Sequence, residues 1–293
     1  MNIIERLLAG GAVVTDGAWG TQLQARGLVS GECPDAWNLS HPDRVEEVAR
    51  SYVEAGSRVI LTNTFRANRI ALAGTGLEDA LDEINRAGVA ISRRAAGDNA
   101  AVFASIGPSG KMLAAGDVDP DKLYEAFAEQ AGALAAAGAD ALLVETMSDL
   151  EEARIALAAA LGARKPVVVS MVFDSGRKKD RTMMGNTPEQ CVRELSEAGA
   201  ALVGANCGCG VEGYVEIARR MHAASGLPIW IKANAGLPEL VDGKPVWHMG
   251  AAGFAAYVPA LLEAGARFIG GCCGTGPEFI RAVKERISAC ASS

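Results

Sequence analysis

The chain has 293 residues, of which 49% are apolar and 22% charged, with 34 glycines scattered without a period. This composition is typical of a packed globular protein and excludes a collagen-like or disordered chain. The net charge of −7 gives no electrostatic reason to bind nucleic acid or an anionic membrane, and no stretch approaches the roughly 18 apolar residues that span a bilayer. The start of the chain lacks the features of a secretory signal, so we expect a cytoplasmic protein with no nucleic-acid or membrane partner.

Apolar runs without polar alternation are typical of strands buried on both faces of a parallel sheet. In chain order they lie within residues 11–17, 54–65, 100–108, 136–147, 165–173, 197–208, 227–236 and 263–274. Four of them follow an Ala-Gly pair of the kind that ends a helix, at Gly56, Gly138, Gly199 and Gly265. The interval between successive glycines holds two strand-and-helix units of about 30–40 residues each. We therefore predict a single α/β domain over residues 1–293 with the fold of a (βα)8 TIM barrel, and a doubly wound sheet as the alternative.

Helix starts are predicted where a hydroxyl side chain precedes a proline or an acidic residue, because that oxygen can accept a hydrogen bond from the first turn. Such signals occur at Ser40 before Pro42 and Asp43, Ser148 before Glu151, Thr187 before Pro188, and Thr275 before Glu278.

Polar residues and thiols gather where the apolar runs stop. They are Asp16, Asn63 with Thr64, Gly107, Glu145, Asp174, Asn206 with Cys207, Asn234, and Cys272 with Cys273. In a (βα)8 barrel the chemistry lies at this carboxyl end of the strands. The pattern therefore predicts a site at the mouth of the barrel.

The seven cysteines are odd in number and unevenly spaced, which favours reduced thiols over a disulfide framework. Cys207, Cys272 and Cys273 could supply three thiolates to a zinc ion with one open position, as in catalytic zinc sites. The glycines beside the Cys272–Cys273 pair give the chain freedom to turn there. Cys209 leaves two alternatives open, because it could replace Cys207 or complete a closed structural site of four thiolates.

Six short motifs resemble the homocysteine S-methyltransferase family, in that family's order and over residues 10 to 285. They are TDGAWGTQL (15–23), TNTF (62–65), ETM (145–147), GANCG (204–208), NAGLP (234–238) and GGCCGT (270–275). The family includes the homocysteine-binding domain of cobalamin-dependent methionine synthase and the betaine and S-methylmethionine enzymes. A single cysteine followed much later by a glycine-flanked pair is the most specific part of the resemblance.

The resemblance implies a (βα)8 barrel that holds a catalytic Zn²⁺ through Cys207, Cys272 and Cys273. It also implies homocysteine binding by Asp16, Gly17 and Glu145, with Asn63, Thr64 and Asn206 near the pocket. We expect Glu145 and Asp16 to receive the substrate ammonium group and backbone N–H groups to take its carboxylate. Two features depart from the family pattern, namely Cys209 and the basic loop Gly176–Arg181.

The predicted reaction is methyl transfer to a zinc-bound homocysteine thiolate, with no catalytic residue beyond that substrate thiolate. A small onium donor such as betaine or S-methylmethionine is favoured, because aromatic faces such as those of Trp19 and Phe65 attract cations. A corrinoid donor would need its own domain or a protein partner, and we expect this chain to have no room for such a domain. A corrinoid partner and a homo-oligomer are both compatible with the sequence. The rival hypotheses are a zinc-dependent hydrolase or lyase, with Glu145 or Asp174 as base, and a closed non-enzymatic zinc site that includes Cys209.

Overall fold

The computed structural model describes residues 1–241 and 244–291. Eight parallel strands form a nearly closed barrel in the order β1-β10-β7-β6-β5-β4-β3-β2. Their bounds are β1 (Val13–Val14), β2 (Val59–Leu61), β3 (Ala101–Ile106), β4 (Ala141–Met147), β5 (Val167–Met171), β6 (Leu202–Gly210), β7 (Ile229–Asn234) and β10 (Ala266–Gly271). The predicted TIM barrel and its eight strands are confirmed.

Helices alternate with these strands and cover the outside of the barrel. They are α1 (Ile3–Leu8), α2 (Gly20–Ala25), α3 (Trp37–Ser40), α4 (Pro42–Ala55), α5 (Arg69–Leu72), α6 (Leu81–Ala96), α7 (Pro120–Ala136), α8 (Leu150–Leu161), α9 (Pro188–Glu197), α10 (Val211–Ser225), α11 (Ala251–Ala255), α12 (Val258–Glu263) and α13 (Pro277–Ala291). An antiparallel hairpin, β8 (Glu239–Val241) with β9 (Lys244–Val246), follows β7 at the mouth. None of the helices within 1–241 and 244–291 is both long and apolar enough to cross a membrane.

A helix begins within two residues of each of the four signals, but of the four hydroxyls Thr187 alone acts as a cap. The Thr187 hydroxyl accepts a hydrogen bond from the Gln190 backbone, 3.1 Å away, and caps α9. The cap of α8 is Asp149 rather than Ser148, because the Asp149 carboxylate reaches the Glu151 N–H at 2.9 Å.

The other two predicted caps are wrong for local reasons. Ser40 belongs to the preceding helix α3, and α4 begins after His41 without a side-chain cap. The hydroxyl of Thr275 donates to the Cys272 carbonyl at 2.7 Å, so it closes the turn of the cysteine pair instead of capping α13.

The inside of the barrel is filled with apolar side chains up to the level of the mouth. Trp230 is fully buried, and its ring stacks on Phe103 and Phe268 with centroids 6.0 and 5.5 Å away. Burial of large side chains of this kind stabilises a fold by about 1.5–3 kcal/mol each. Strand side chains alternate between faces, so the next inward positions on β7 are Lys232 and Asn234. The interior therefore changes from apolar to polar within one strand.

Strands β1 and β2 close the barrel without a regular ladder between them. The Arg58 backbone N–H donates to the Val14 carbonyl at 2.8 Å, just before β2 begins. Higher up, the Leu61 backbone N–H donates to the Asp16 carboxylate at 2.8 Å. A side chain thus replaces a strand partner at this seam, and it does so at the level of the predicted site.

Candidate metal centre and substrate cavity

Three cysteines from two distant segments meet at the mouth of the barrel. The sulfur atoms of Cys207, Cys272 and Cys273 all lie within 4.8 Å of one another. Strand β7 lies between the two segments and aligns them, since Cys207 is in register with Ala233 and Ala233 with Gly271. The Cys272 backbone N–H continues the ladder to the Ala233 carbonyl at 2.7 Å. The positions of the three thiols therefore follow from strand register.

Close backbone packing explains one glycine beside the pair. A Cβ atom on Gly270 would lie 2.0 Å from the Thr15 hydroxyl and 2.5 Å from the Asp16 carbonyl. Any side chain there would push β10 away from β1. The glycine keeps the cysteine segment seated in the barrel.

Cys207 has a backbone φ of 61°, which is in the left-handed region. A non-glycine residue in such a conformation costs of order 1–3 kcal/mol and persists when its surroundings fix it. Here the Tyr214 hydroxyl from α10 lies 2.9 Å from the Asn206 carbonyl and 2.8 Å from the Cys207 carbonyl. Asn234 joins the two segments, because its amide N–H₂ donates to the Gly208 carbonyl at 3.2 Å and its oxygen accepts from the Cys273 N–H at 3.0 Å.

The three thiols shift each other's pKa values. Hydrogen bonds from Cys272 and Cys273 lower the pKa of Cys207 to about 3, although burial opposes this. The same contact with Cys207 raises the pKa of Cys272, and it raises that of Cys273 to about 12. A divalent ion at the centre of the cluster would favour ionisation of all three, so this donor set fits a thiophilic metal.

Cys209 lies outside this cluster. Its sulfur is 3.4 Å from the Phe173 carbonyl, and burial raises the pKa of its thiol. Among the residues that the structure describes, the potential metal site contains Cys207, Cys272 and Cys273 alone. A closed site of four thiolates has no support in this geometry.

A cavity of about 330 Å³ opens beside the cysteine cluster. Its wall includes Gly17, Trp19, Pro34, Asp35, Leu61, Asn63, Phe65, Arg66, Ser105, Glu145, Lys232 and the three cysteines. A larger groove of about 940 Å³ lies at the opposite end of the barrel, near Leu8, Pro228 and Cys290. That groove is lined by Glu263, Arg267, Arg286 and Cys290, but it lies at the end of the barrel away from the mouth, where ligands bind.

Three of the six residues predicted to bind substrate line this cavity, namely Gly17, Glu145 and Asn63. The Asn63 side chain is already hydrogen-bonded to a nearby loop, because its amide N–H₂ donates to the Pro34 backbone carbonyl at 2.7 Å. Gly17 has no room for a side chain, since a Cβ would lie 2.8 Å from the Tyr52 hydroxyl.

Asp16, Thr64 and Asn206 lie behind the wall instead of in it. Thr64 is fully buried, and its hydroxyl donates to the Ser105 carbonyl at 2.7 Å. Asn206 bonds to Thr146 twice, through the Thr146 N–H at 2.9 Å and its hydroxyl at 2.8 Å. This contact fixes the residue next to Glu145, so Asn206 is placed to position the cavity wall.

Glu145 is the one carboxylate from the end of a barrel strand that reaches the cavity among the described residues. The Ser105 hydroxyl donates to one of its oxygens at 2.5 Å. Burial raises its pKa, and the nearby Lys232 charge and the Ser105 hydrogen bond offset only part of that effect. A carboxylate in this setting gains from the arrival of a cationic group.

Three ionisable residues of the wall were not predicted as site residues, namely Lys232, Asp35 and Arg66. Lys232 is 2% exposed and forms an ion pair with Asp16. Asp35 is 1% exposed and accepts the Arg66 backbone N–H at 2.9 Å. Burial raises the pKa of Asp35 to about 6. A signal for Lys232 was present, because a lysine within a buried strand requires a carboxylate partner.

Comparisons with known proteins agree with this site. The family described as homocysteine S-methyltransferase matches residues 13–287. The methionine synthases of Mycobacterium leprae and Mycobacterium tuberculosis are 30% identical to the chain over 97% and 94% of its length, which is 25% and 24% of theirs. The chain thus spans about a quarter of the length of these relatives.

A solved structure resembles the whole barrel. The metallated form of the homocysteine methyltransferase MmuM from Escherichia coli matches with a TM-score of 0.81 and 25% identity, over 97% of this chain and 100% of that one. Its oxidized form matches with the same values.

Proposed function

The chain belongs to the homocysteine S-methyltransferase family of enzymes, and from that premise we propose that it methylates zinc-bound homocysteine to form methionine, with a small onium compound as donor. The observation that carries this proposal is the convergence of three thiols on one side of a cavity at the barrel mouth. We further propose that residues 1–293 form one homocysteine-binding domain that works in the cytoplasm.

The reaction is a displacement at a methyl carbon. The sulfur lone pair of homocysteine forms the new S–C bond, and the bond from the methyl group to the donor's nitrogen or sulfur breaks. That bonding pair leaves with the donor as a neutral amine or thioether. A free thiol with a pKa near 8.5 is only a few per cent ionised at neutral pH. A zinc ion held by Cys207, Cys272 and Cys273 would supply the ionised form by coordinating the substrate sulfur.

The protein groups around the cavity bind and orient the two substrates. Glu145 offers a carboxylate to the substrate ammonium group, and its hydrogen bond from Ser105 fixes the direction of approach. Trp19 and Phe65 line the same cavity. Their ring faces can stabilise a cationic donor by about 0.5–2 kcal/mol.

A second candidate is a homocysteine-binding component that takes its methyl group from a separate corrinoid protein. The methionine synthases of which this chain matches about a quarter favour it. So do apolar side chains exposed on segments at the mouth, which are Met183 at 53%, Leu237 at 72% and Leu240 at 75% exposure. Such residues are typical of protein interaction surfaces.

The hydrolase or lyase alternative is less well supported. It needs a base beside the metal, and Asp174 is exposed, bonds to the Ser175 hydroxyl at 2.9 Å and does not line the cavity. Glu145 alone remains for that role among the predicted bases.

A donor screen tests the proposal. Zinc-loaded protein is incubated with homocysteine and, in turn, betaine, S-methylmethionine, S-adenosylmethionine or methylcobalamin, and methionine is measured. We expect turnover with an onium donor, whereas turnover with methylcobalamin alone would support the second candidate. Cys272→Ala and Cys273→Ala should each lose zinc and turnover but keep the fold, and Cys209→Ala, the matched control, should keep all three. Normal turnover in Cys272→Ala would refute the ligand assignment.

A further inference from the structure

Lys232 is a buried cation in the cavity wall, and the predicted site leaves it without a function. It projects from β7 into the barrel, one inward position below Asn234. Burial opposes its charge, but the carboxylates of Asp16 and Glu145 outweigh that effect, and its pKa is raised. The side chain is therefore a charged ammonium group in the wall of the cavity.

Asp16 accepts three hydrogen bonds from groups inside the barrel. Its Oδ1 accepts the ion-pair hydrogen bond from Lys232. Its Oδ2 accepts the Trp19 indole N–H and the Leu61 backbone N–H, both at 2.8 Å. The residue is 0% exposed and lies behind the cavity wall. Its carboxylate therefore does not face an ammonium group that enters the cavity.

Lys232 and Glu145, by contrast, both face the cavity with bonding capacity to spare. An ammonium group has three N–H donors, and Asp16 is the one hydrogen-bond acceptor of Lys232 within residues 1–241 and 244–291. In that same part of the chain, the second oxygen of Glu145 has no hydrogen-bond partner. Among the side chains that the barrel strands place in the wall, Lys232 supplies a positive group and Glu145 a negative one. The two are close enough for each to influence the other's charge.

This pair matches the two charged groups that an α-amino acid carries on one carbon. We propose that Lys232 binds the α-carboxylate of the amino-acid thiol while Glu145 receives its ammonium group. Asp16 then acts as a positioning residue that holds Lys232 and closes the barrel seam. The inference rests on the proposed function and adds the residue that selects an amino acid over a simple aminothiol.

The test compares three thiols that differ in one group each. They are homocysteine, 3-aminopropane-1-thiol, which lacks the carboxylate, and 4-sulfanylbutanoate, which lacks the amine. Binding of each to zinc-loaded protein is measured by calorimetry, so that methyl transfer is not the readout. A hydrogen bond to a charged group contributes enough to change affinity by about 10–150-fold.

The variant must not leave a buried charge unpaired, because that would disturb folding. We therefore use Lys232→Met combined with Asp16→Asn, and confirm its circular dichroism and zinc content first. Lys178→Met is the matched control, since Lys178 is exposed on a loop at the mouth and does not line this cavity.

In the native protein we expect 3-aminopropane-1-thiol to bind about 10–150-fold more weakly than homocysteine. The double variant should lose a similar factor for homocysteine and 4-sulfanylbutanoate but bind 3-aminopropane-1-thiol as the native protein does. An equal loss for all three thiols, or a variant that does not fold or hold zinc, would overturn the assignment to Lys232 and make the residue structural. If homocysteine does not bind the native protein at all, the proposed function fails and this inference with it.

Discussion

Tyr214 and Asn234 hold the cysteine segments in place without offering a metal ligand themselves. The Tyr214 hydroxyl bonds to the two carbonyls that flank the left-handed turn at Cys207, and Asn234 ties that turn to Cys273. Partners of this kind orient metal ligands, and their loss typically weakens metal binding by about 10–100-fold. The metal affinity of the site therefore depends on residues from α10 and β7 as well as on the three sulfurs.

We predict that Tyr214→Phe weakens zinc binding by about tenfold, because the carbonyls of Asn206 and Cys207 lose their hydroxyl donor. Competition with a chelator of known affinity measures the change. Tyr124→Phe is the control, since Tyr124 is 44% exposed on α7 and away from the site. An unchanged zinc affinity in Tyr214→Phe would show that the backbone at Cys207 needs no support.

The sequence predicts the residues at strand ends better than those within strands. Cys207, Cys272 and Glu145 follow apolar runs, and parallel strands bring such ends together. Lys232 lies inside an apolar run, so its direction depends on the register of β7, which the sequence does not give. The burial of Asp16 behind the cavity wall depends on how β1 meets β2 at the seam, and that contact joins residues too distant in sequence to be predicted from local pattern.

At the scale of elements, the basic loop Gly176–Arg181 has a structural role. Arg220 on α10 bonds to Asp180 of this loop at 2.7 Å and to both carboxylate oxygens of Glu189 on α9 at 2.6 and 2.8 Å. One arginine therefore joins the connection after β5 to two helices. Sequence alone did not predict this contact, because Arg220 lies on a helix further along the chain.

The Arg220 hydrogen bond lowers the pKa of Glu189 from 4.5 to about 2. The folded pKa is thus below the unfolded one, so this contact stabilises the fold fully above pH 4.5 and loses its effect as the pH falls towards 2. The side chains of Arg220 and Glu189 are 21% and 32% exposed. Solvent screening therefore limits the contribution to about 1–2 kcal/mol.

We predict that Arg220→Met lowers the free energy of unfolding by about 1–2 kcal/mol at pH 7, and that the difference from the native protein shrinks between pH 4.5 and 2. Urea titration at several pH values measures this. Arg219→Met provides a matched control on the same helix, because the Arg219–Glu216 pair is more than half exposed on both sides and should contribute little. A pH-independent difference would mean that Arg220 acts through packing.

At the scale of the molecule, the barrel has its own core and the metal site lies at its rim. Trp230, Phe103 and Phe268 fill the interior below the cysteines, and the helices bury a second apolar layer around the strands. Folding should therefore not depend on the metal, unlike that of small zinc domains.

We predict that chelation leaves the far-ultraviolet circular dichroism unchanged and lowers the melting temperature by about 5–10 °C, because only the differential binding of the ion is lost. Added zinc should restore the original melting temperature. Loss of helical signal on chelation would show that the mouth segments organise the fold.

X-ray absorption at the zinc edge tests the central claim most directly, because it counts the sulfur atoms bound to the ion. We predict three sulfurs at about 2.3 Å and one lighter ligand in the protein alone, and four sulfurs after homocysteine is added. Four sulfurs before homocysteine is added, or no change when it binds, would contradict an open position that the substrate thiol fills.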